Sequence, residues 1–191
     1  MFAAAYPGMG PEAQGEMRTM FTALCNDDTP MVRRAAAKAL GVGFPSMPLR
    51  FRGLADFQPF ARSVAEGAKQ HDNLIKDVLP LYRKLSTDDQ DSVRLLTIPD
   101  LIAITSNLDA AETKEHMLES IRNAVTDKSW RVRYMVANEF VNLAESVGEA
   151  IVKEELVGAF VGLLKDQEAE VRTASASQVP GTLFLFPGRV Y

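Results

Sequence analysis

Asp27-Asp28-Thr29-Pro30-Met31-Val32-Arg33-Arg34-Ala35-Ala36-Ala37 reads as an acidic turn, a proline, and the opening of a helix. Its skeleton is an Asp followed five residues later by Val-Arg. That skeleton returns as Asp88…Val93-Arg94, Asp127…Val132-Arg133 and Asp166…Val171-Arg172. The last two intervals between valines are 39 residues, and the first is 61, which is one period plus 22. A period near 40 is the signature of stacked helical pairs, each unable to bury its apolar face alone. Function in such an array lies on the exposed surfaces of the stack.

The residues around each valine give the hairpin. Eleven positions before it stand Phe21, Tyr82, Ile121 and Phe160, and eight before it Leu24, Leu85, Ala124 and Leu163. Apolar residues three apart lie on one stripe of a helix. Eight positions after the valine come Leu40, Leu101, Phe140 and Val179, marking a second helix. The fold class is therefore all-α, an α-solenoid of about four hairpins. The helices fall near Glu12–Leu24 and Pro30–Leu40, Asn73–Leu85 and Asp89–Ile104, Ala111–Val125 and Ser129–Glu145, and Lys153–Leu164 and Gln167–Val179. The array spans 16–179, with hairpins at about 12–41, 72–104, 111–146 and 153–179. Residues 1–15 read as an irregular leading segment. Thr29-Pro30 makes a cap followed by proline at the first helical position, and Asp and Ser do similar work in the other turns. Pro80 and Pro99 fall inside helices and should kink them.

Asp27, Asp88, Asp127 and Asp166, with Arg33, Arg94, Arg133 and Arg172, repeat in register. The Asp of one hairpin can meet the Arg of its neighbour, giving a ladder of partnered charges. Catalytic paired carboxylates are the competing reading, but a catalytic centre occurs once and this pair occurs four times.

Composition bounds the rest. A hydrophobic share of 47% with 24% charged residues is that of an ordinary folded chain. The net charge of −4 gives no electrostatic reason to bind nucleic acid or an anionic membrane. One cysteine, Cys25, suits a reducing compartment, and no run is long enough for a membrane span. The start of the chain lacks a secretory signal pattern, so the expected setting is the cytoplasm, with the nucleus beside it. His71 and His116 have no companion ligands at metal spacing. No catalytic constellation and no cofactor motif emerges, and Gly8-Met9-Gly10-Pro11 is not a phosphate loop.

The turn sequences carry a sharper signal. The stretch at 27–37, Asp89-Gln90-Asp91-Ser92-Val93-Arg94-Leu95-Leu96, Asp127-Lys128-Ser129-Trp130-Arg131-Val132-Arg133-Tyr134-Met135-Val136-Ala137 and Glu168-Ala169-Glu170-Val171-Arg172 resemble consecutive HEAT repeats. The match is to the middle of the scaffolding A subunits of protein phosphatase 2A, over roughly 16–40 and 60–177. The resemblance implies a non-enzymatic scaffold whose intra-repeat turns bind a regulatory B subunit. It carries the binding role onto Pro30 and Arg34, Asp88, Asp89 and Asp91, Trp130 and Arg131, and Glu168. The family's catalytic subunit docks on far C-terminal repeats that have no counterpart here. A transport-type HEAT adaptor and a HEAT-like nucleic-acid repair enzyme are the alternatives. The turn sequences disfavour the first, and the acidic balance and four equivalent turns disfavour the second.

Trp130, the only tryptophan, sits among charges in a turn rather than on an apolar stripe. Exposed aromatic and Arg residues are common binding anchors, although such a ring can also merely pack over a neighbouring turn. Two stretches leave the pattern: 42–59, rich in Pro and Gly, and 180–191, which reads as a tail that abandons the repeat and exposes Leu183, Phe184, Leu185 and Phe186. They fit either an inserted loop and a divergent cap or a misread gene model. Their lack of helical periodicity favours the second.

Overall fold

The computed structural model describes residues 10–40 and 74–185, and among these every regular element is helical. Two compact units, 1–104 and 105–191, each contain two hairpins.

In the first unit, α1 (Pro11–Cys25) turns through Asn26–Thr29 into α2 (Pro30–Leu40). Proline stands at the first position of both, where its missing amide hydrogen costs nothing. α1 begins where the helix near Glu12–Leu24 was expected, inside the segment 1–15 read as irregular, so the end of that segment moves back to Gly10. Hairpin two opens with a π-helical turn, Leu74–Val78, that runs into α3 (Leu79–Ser86). Its second arm is α4 (Asp91–Arg94), a 3-10 turn (Leu95–Thr97) and α5 (Ile98–Thr105). Pro80 and Pro99 each occupy the second residue of an α-helical segment, directly behind an irregular turn. The irregular turn relieves the clash between the proline ring and the carbonyl four residues back. α1 packs on α3, and α2 packs on α4 and the 3-10 turn, so first arms meet first arms and second arms meet second arms. Val78, Tyr82, Leu85, Val93, Leu101 and Leu40 form the buried spine.

In the second unit, hairpin three has α6 (Ala110–His116) and α7 (Leu118–Val125) as its first arm, and α8 (Trp130–Asn138) and α9 (Phe140–Val147) as its second. α6 starts with a capping box: the Asp109 carboxylate accepts from the Ala111 and Glu112 amides, and Glu112 accepts from the Asp109 amide. Gly148, at φ 81° and ψ 160°, lies in a region open essentially only to glycine and separates α9 from hairpin four. Hairpin four runs through α10 (Glu149–Ile151), a π-helical turn (Val152–Leu156), α11 (Val157–Leu164) and α12 (Ala169–Leu185). The two π turns occupy the same place relative to their hairpins' valines. α8 packs chiefly on α12, and Phe140 meets Phe160 with ring centroids 4.5 Å apart.

α12 overturns the expected end of the array at 179. The helix continues through Pro180 to Leu185. Gly181 lies so close to α9 that a Cβ there would stand 2.7 Å from a Val141 methyl carbon. Close packing, which a bare glycine permits, carries the helix past a residue that usually ends one. The expectations for 42–59, and for the exposed side chains of Leu183, Phe184, Leu185 and Phe186, lie outside the described residues.

Candidate functional site: the hairpin turns

All four turns are built alike. The repeated Asp folds its carboxylate back onto the amide two residues ahead: Asp27 Oδ1 accepts from Thr29 at 2.7 Å, Asp88 from Gln90 at 2.9 Å, Asp127 from Ser129 at 2.7 Å and Asp166 from Glu168 at 3.0 Å. This Asx turn satisfies an otherwise orphaned amide at the entry to the second helix. The repeated Arg then donates from Nη1 to the same Asp's backbone carbonyl. The distances are 2.8 Å for Arg33, 2.7 Å for Arg94, 2.7 Å for Arg133 and 2.6 Å for Arg172. On the other side of the turn, Asn26, Thr87 and Thr126 donate to the carbonyl four residues back, each at 2.8 Å, and close the first helix. Ser129 makes no side-chain cap; the aspartate does that work.

The remaining guanidinium nitrogens join hairpin to hairpin. Arg33 donates from Nε to Asp88 Oδ2 at 2.5 Å and from Nη2 to Oδ1 at 3.1 Å. Arg133 does the same to Asp166, at 2.6 and 2.8 Å. These two-bond forks match the planar guanidinium to the carboxylate. Arg133's hydrogen bonds hold the Asp166 carboxyl below its ordinary range, against a smaller opposing effect of burial. For Asp88 burial pulls upward most strongly, but the Arg33 fork and the Gln90 amide together leave it lowered.

The candidate binding residues divide on this frame. Pro30, Arg34, Asp89, Arg131 and Glu168 are exposed, and Asp91 and Trp130 are half-buried. Asp88 is not available to a partner: it is buried, with both oxygens engaged by Arg33. Its assignment to binding is corrected on that ground. Trp130 packs edge-on to Tyr134 at 6.5 Å, and the Arg131 guanidinium lies 5.1 Å from the Trp130 ring centre, within cation–π range. The turn sequences alone did not foretell this stacked pair. The spacing of Trp130 and Tyr134, four apart on one helix face, was the available signal.

Among the described residues, no group of His, Cys, Asp and Glu is placed to hold a metal ion. No helix there is long and apolar enough to cross a membrane. Cys25 is fully buried, and burial pushes its thiol up to about 12, which makes it a poor nucleophile.

Two hairpin stretches match known repeat models: 17–42 matches the HEAT repeat, and 149–185 matches the PPP2R1A-like HEAT repeat. The second match reaches Leu185, in agreement with the unbroken α12. Over 157 residues the chain is 38% identical to a Schizosaccharomyces pombe protein named as a regulatory subunit of protein phosphatase PP2A, covering 81% of this chain and 23% of that one. The chain contains HEAT repeats and resembles part of the phosphatase 2A scaffold. The "Protein phosphatase 2A scaffold subunit" of Dictyostelium discoideum is 41% identical over 166 residues, covering 87% of this chain and 25% of that protein. A Saccharomyces cerevisiae protein that shares the Schizosaccharomyces name is 33% identical over 140 residues, 71% of this chain and 20% of its own length. The chain thus spans a quarter or less of these curated relatives. Their names describe regulatory and scaffold subunits, not catalytic ones.

Proposed function

We propose that the chain is a non-catalytic scaffold element of a phosphatase 2A assembly. It presents its hairpin turns to a regulatory B subunit, which it helps to set against the catalytic one. The observation that supports this most is the division of labour inside each turn. The Asp and Arg are locked onto the turn's backbone, and Arg33 with Asp88 and Arg133 with Asp166 also lock hairpin to hairpin. Pro30, Arg34, Asp89, Trp130, Arg131 and Glu168 stand at the outer tips on backbone that is already fixed. Side chains held by a rigid frame lose little freedom on binding, which favours affinity. Trp130 under Arg131 combines the two residue types most enriched in binding hot spots. A cytoplasmic and nuclear setting goes with this reading, and imaging of the tagged chain checks it.

Capture of a purified B subunit by the chain tests the proposal. Trp130→Ala with Arg131→Ala should weaken capture by roughly 30-fold, as loss of a hot-spot pair does. Helicity should be unchanged. Equal capture by the variant overturns the assignment of these turns.

A further inference from the structure

α8 opens with two aromatic residues four apart, Trp130 and Tyr134. Counted from the repeat's valine, the same two places hold Pro30 and Arg34 in hairpin one, Asp91 and Leu95 in hairpin two, and Ala169 and Thr173 in hairpin four. Only hairpin three puts rings at both. The comparison with hairpin one is instructive. Pro30 carries a ring closed onto its own backbone, so nothing else has to fix it, and Arg34 behind it stands exposed. An indole instead turns about two side-chain torsions. At the first residue of a helix it has no earlier helical turn to rest on, so its support has to come from behind.

Tyr134 supplies that support. Helical side chains lean toward the N-terminus, which lays the residue four places on back over the first. The two rings meet with centroids 6.5 Å apart and planes 78° apart. This is the edge-to-face arrangement that ring quadrupoles favour. The Arg131 guanidinium lies 5.1 Å from the indole centre, so Trp130 has a second neighbour at the tip itself. Both rings are half-buried, whereas Arg131 is exposed. Tyr134 thus sits one helical turn into α8, between the frame and the tip, and no binding role described above falls on it.

We propose that Tyr134 is a positioning residue of the recognition tip: its ring holds the Trp130 indole in the orientation that the partner takes up. The proposal rests on the scaffold reading given above and adds to it the residue through which that anchor is set. Freedom that Trp130 gives up to Tyr134 on folding is not lost again on binding, which is how a preformed anchor gains affinity.

Trp130 is the only tryptophan, so the fluorescence of the full chain alone reports on this ring without any phosphatase subunit present. Tyr134→Ala should lower the anisotropy of the indole and shift its emission to the red as water reaches it. Capture of a purified B subunit should weaken roughly fivefold, the worth of one edge-to-face pair. Tyr134→Phe keeps the ring and should restore both readouts. In a Trp130→Ala background, Tyr134→Ala should weaken capture no further, because a positioning residue acts only through the group it positions. If Tyr134→Ala loses helicity, Tyr134→Leu keeps the apolar bulk without the ring and gives the same readouts. Unchanged fluorescence in both variants would overturn the proposal by showing that Tyr134 does not hold the indole. Further loss of capture in the Trp130→Ala background would overturn it by making Tyr134 a direct contact. Altered fluorescence with full capture separates two failures. If Trp130→Ala still weakens capture, only the positioning role falls; if it does not, the reading of this turn falls and takes the proposal with it.

Discussion

Asp88 and Asp89 are neighbours in one turn, yet one is buried in the fork of Arg33 and the other faces solvent. The same split divides Asp166 from Glu168 in hairpin four. In hairpins two and four the inner edge of the turn is gripped by the preceding hairpin, and the outer tip stays exposed. One or two positions along the chain separate the gripped carboxylate from the exposed one. The inner edge should therefore register in stability and the outer tip in binding, and each can be disturbed without the other.

The apolar spine sets the scale against which the inner edge is judged. Phe140→Ala removes a fully buried ring stacked on Phe160 and should cost about 3–5 kcal/mol in urea unfolding. Asp166→Ala strands the half-buried Arg133 and opens the turn. Its expected cost is on the order of 2–3 kcal/mol, toward the low end for a broken buried pair because the site is partly solvated. Acid should reveal the same rung. The folded pKa of Asp166 and of Asp88 lies below the unfolded value of about 4. Their stabilisation is thus complete above that pH and is lost as pH falls through the folded values. Unfolding midpoints of wild type and Asp166→Asn should converge on acidification, and parallel curves would count against the rung.

At the outer tip, Glu168→Gln should move stability by less than about 0.5 kcal/mol. A larger loss would erase the distinction between edge and tip. The smallest effect is expected at Cys25. A thiol pushed up to about 12 should resist alkylation at neutral pH in the folded chain and react once unfolded. Rapid labelling of the native chain would show that α1 opens readily.

The ladder was legible in the sequence because equivalent residues of a repeat occupy equivalent places, and charges in register need partners. What could not be read was the arginine's second bond. Its acceptor is the backbone carbonyl of the aspartate, and main-chain acceptors leave no mark in a residue pattern. The double assignment of Asp88 had the same origin: spacing places a carboxylate in a turn but does not say which way it points. Pro180 misled for a different reason. The rule that proline ends a helix is local, and here it yields to the close seat of Gly181 against Val141. Pro80 and Pro99 followed the rule because each has an irregular turn behind it to absorb the ring.

In hairpins two and four the aspartate that folds the turn is also the one the preceding hairpin grips, so neither can be correctly formed without offering a correctly aimed handhold. Modules with this property are interchangeable. One could be excised, duplicated or grafted from another position, and the junction would come ready-made. Lengthening the acid by one methylene, as in Asp166→Glu, would end that compatibility even though no charge is lost.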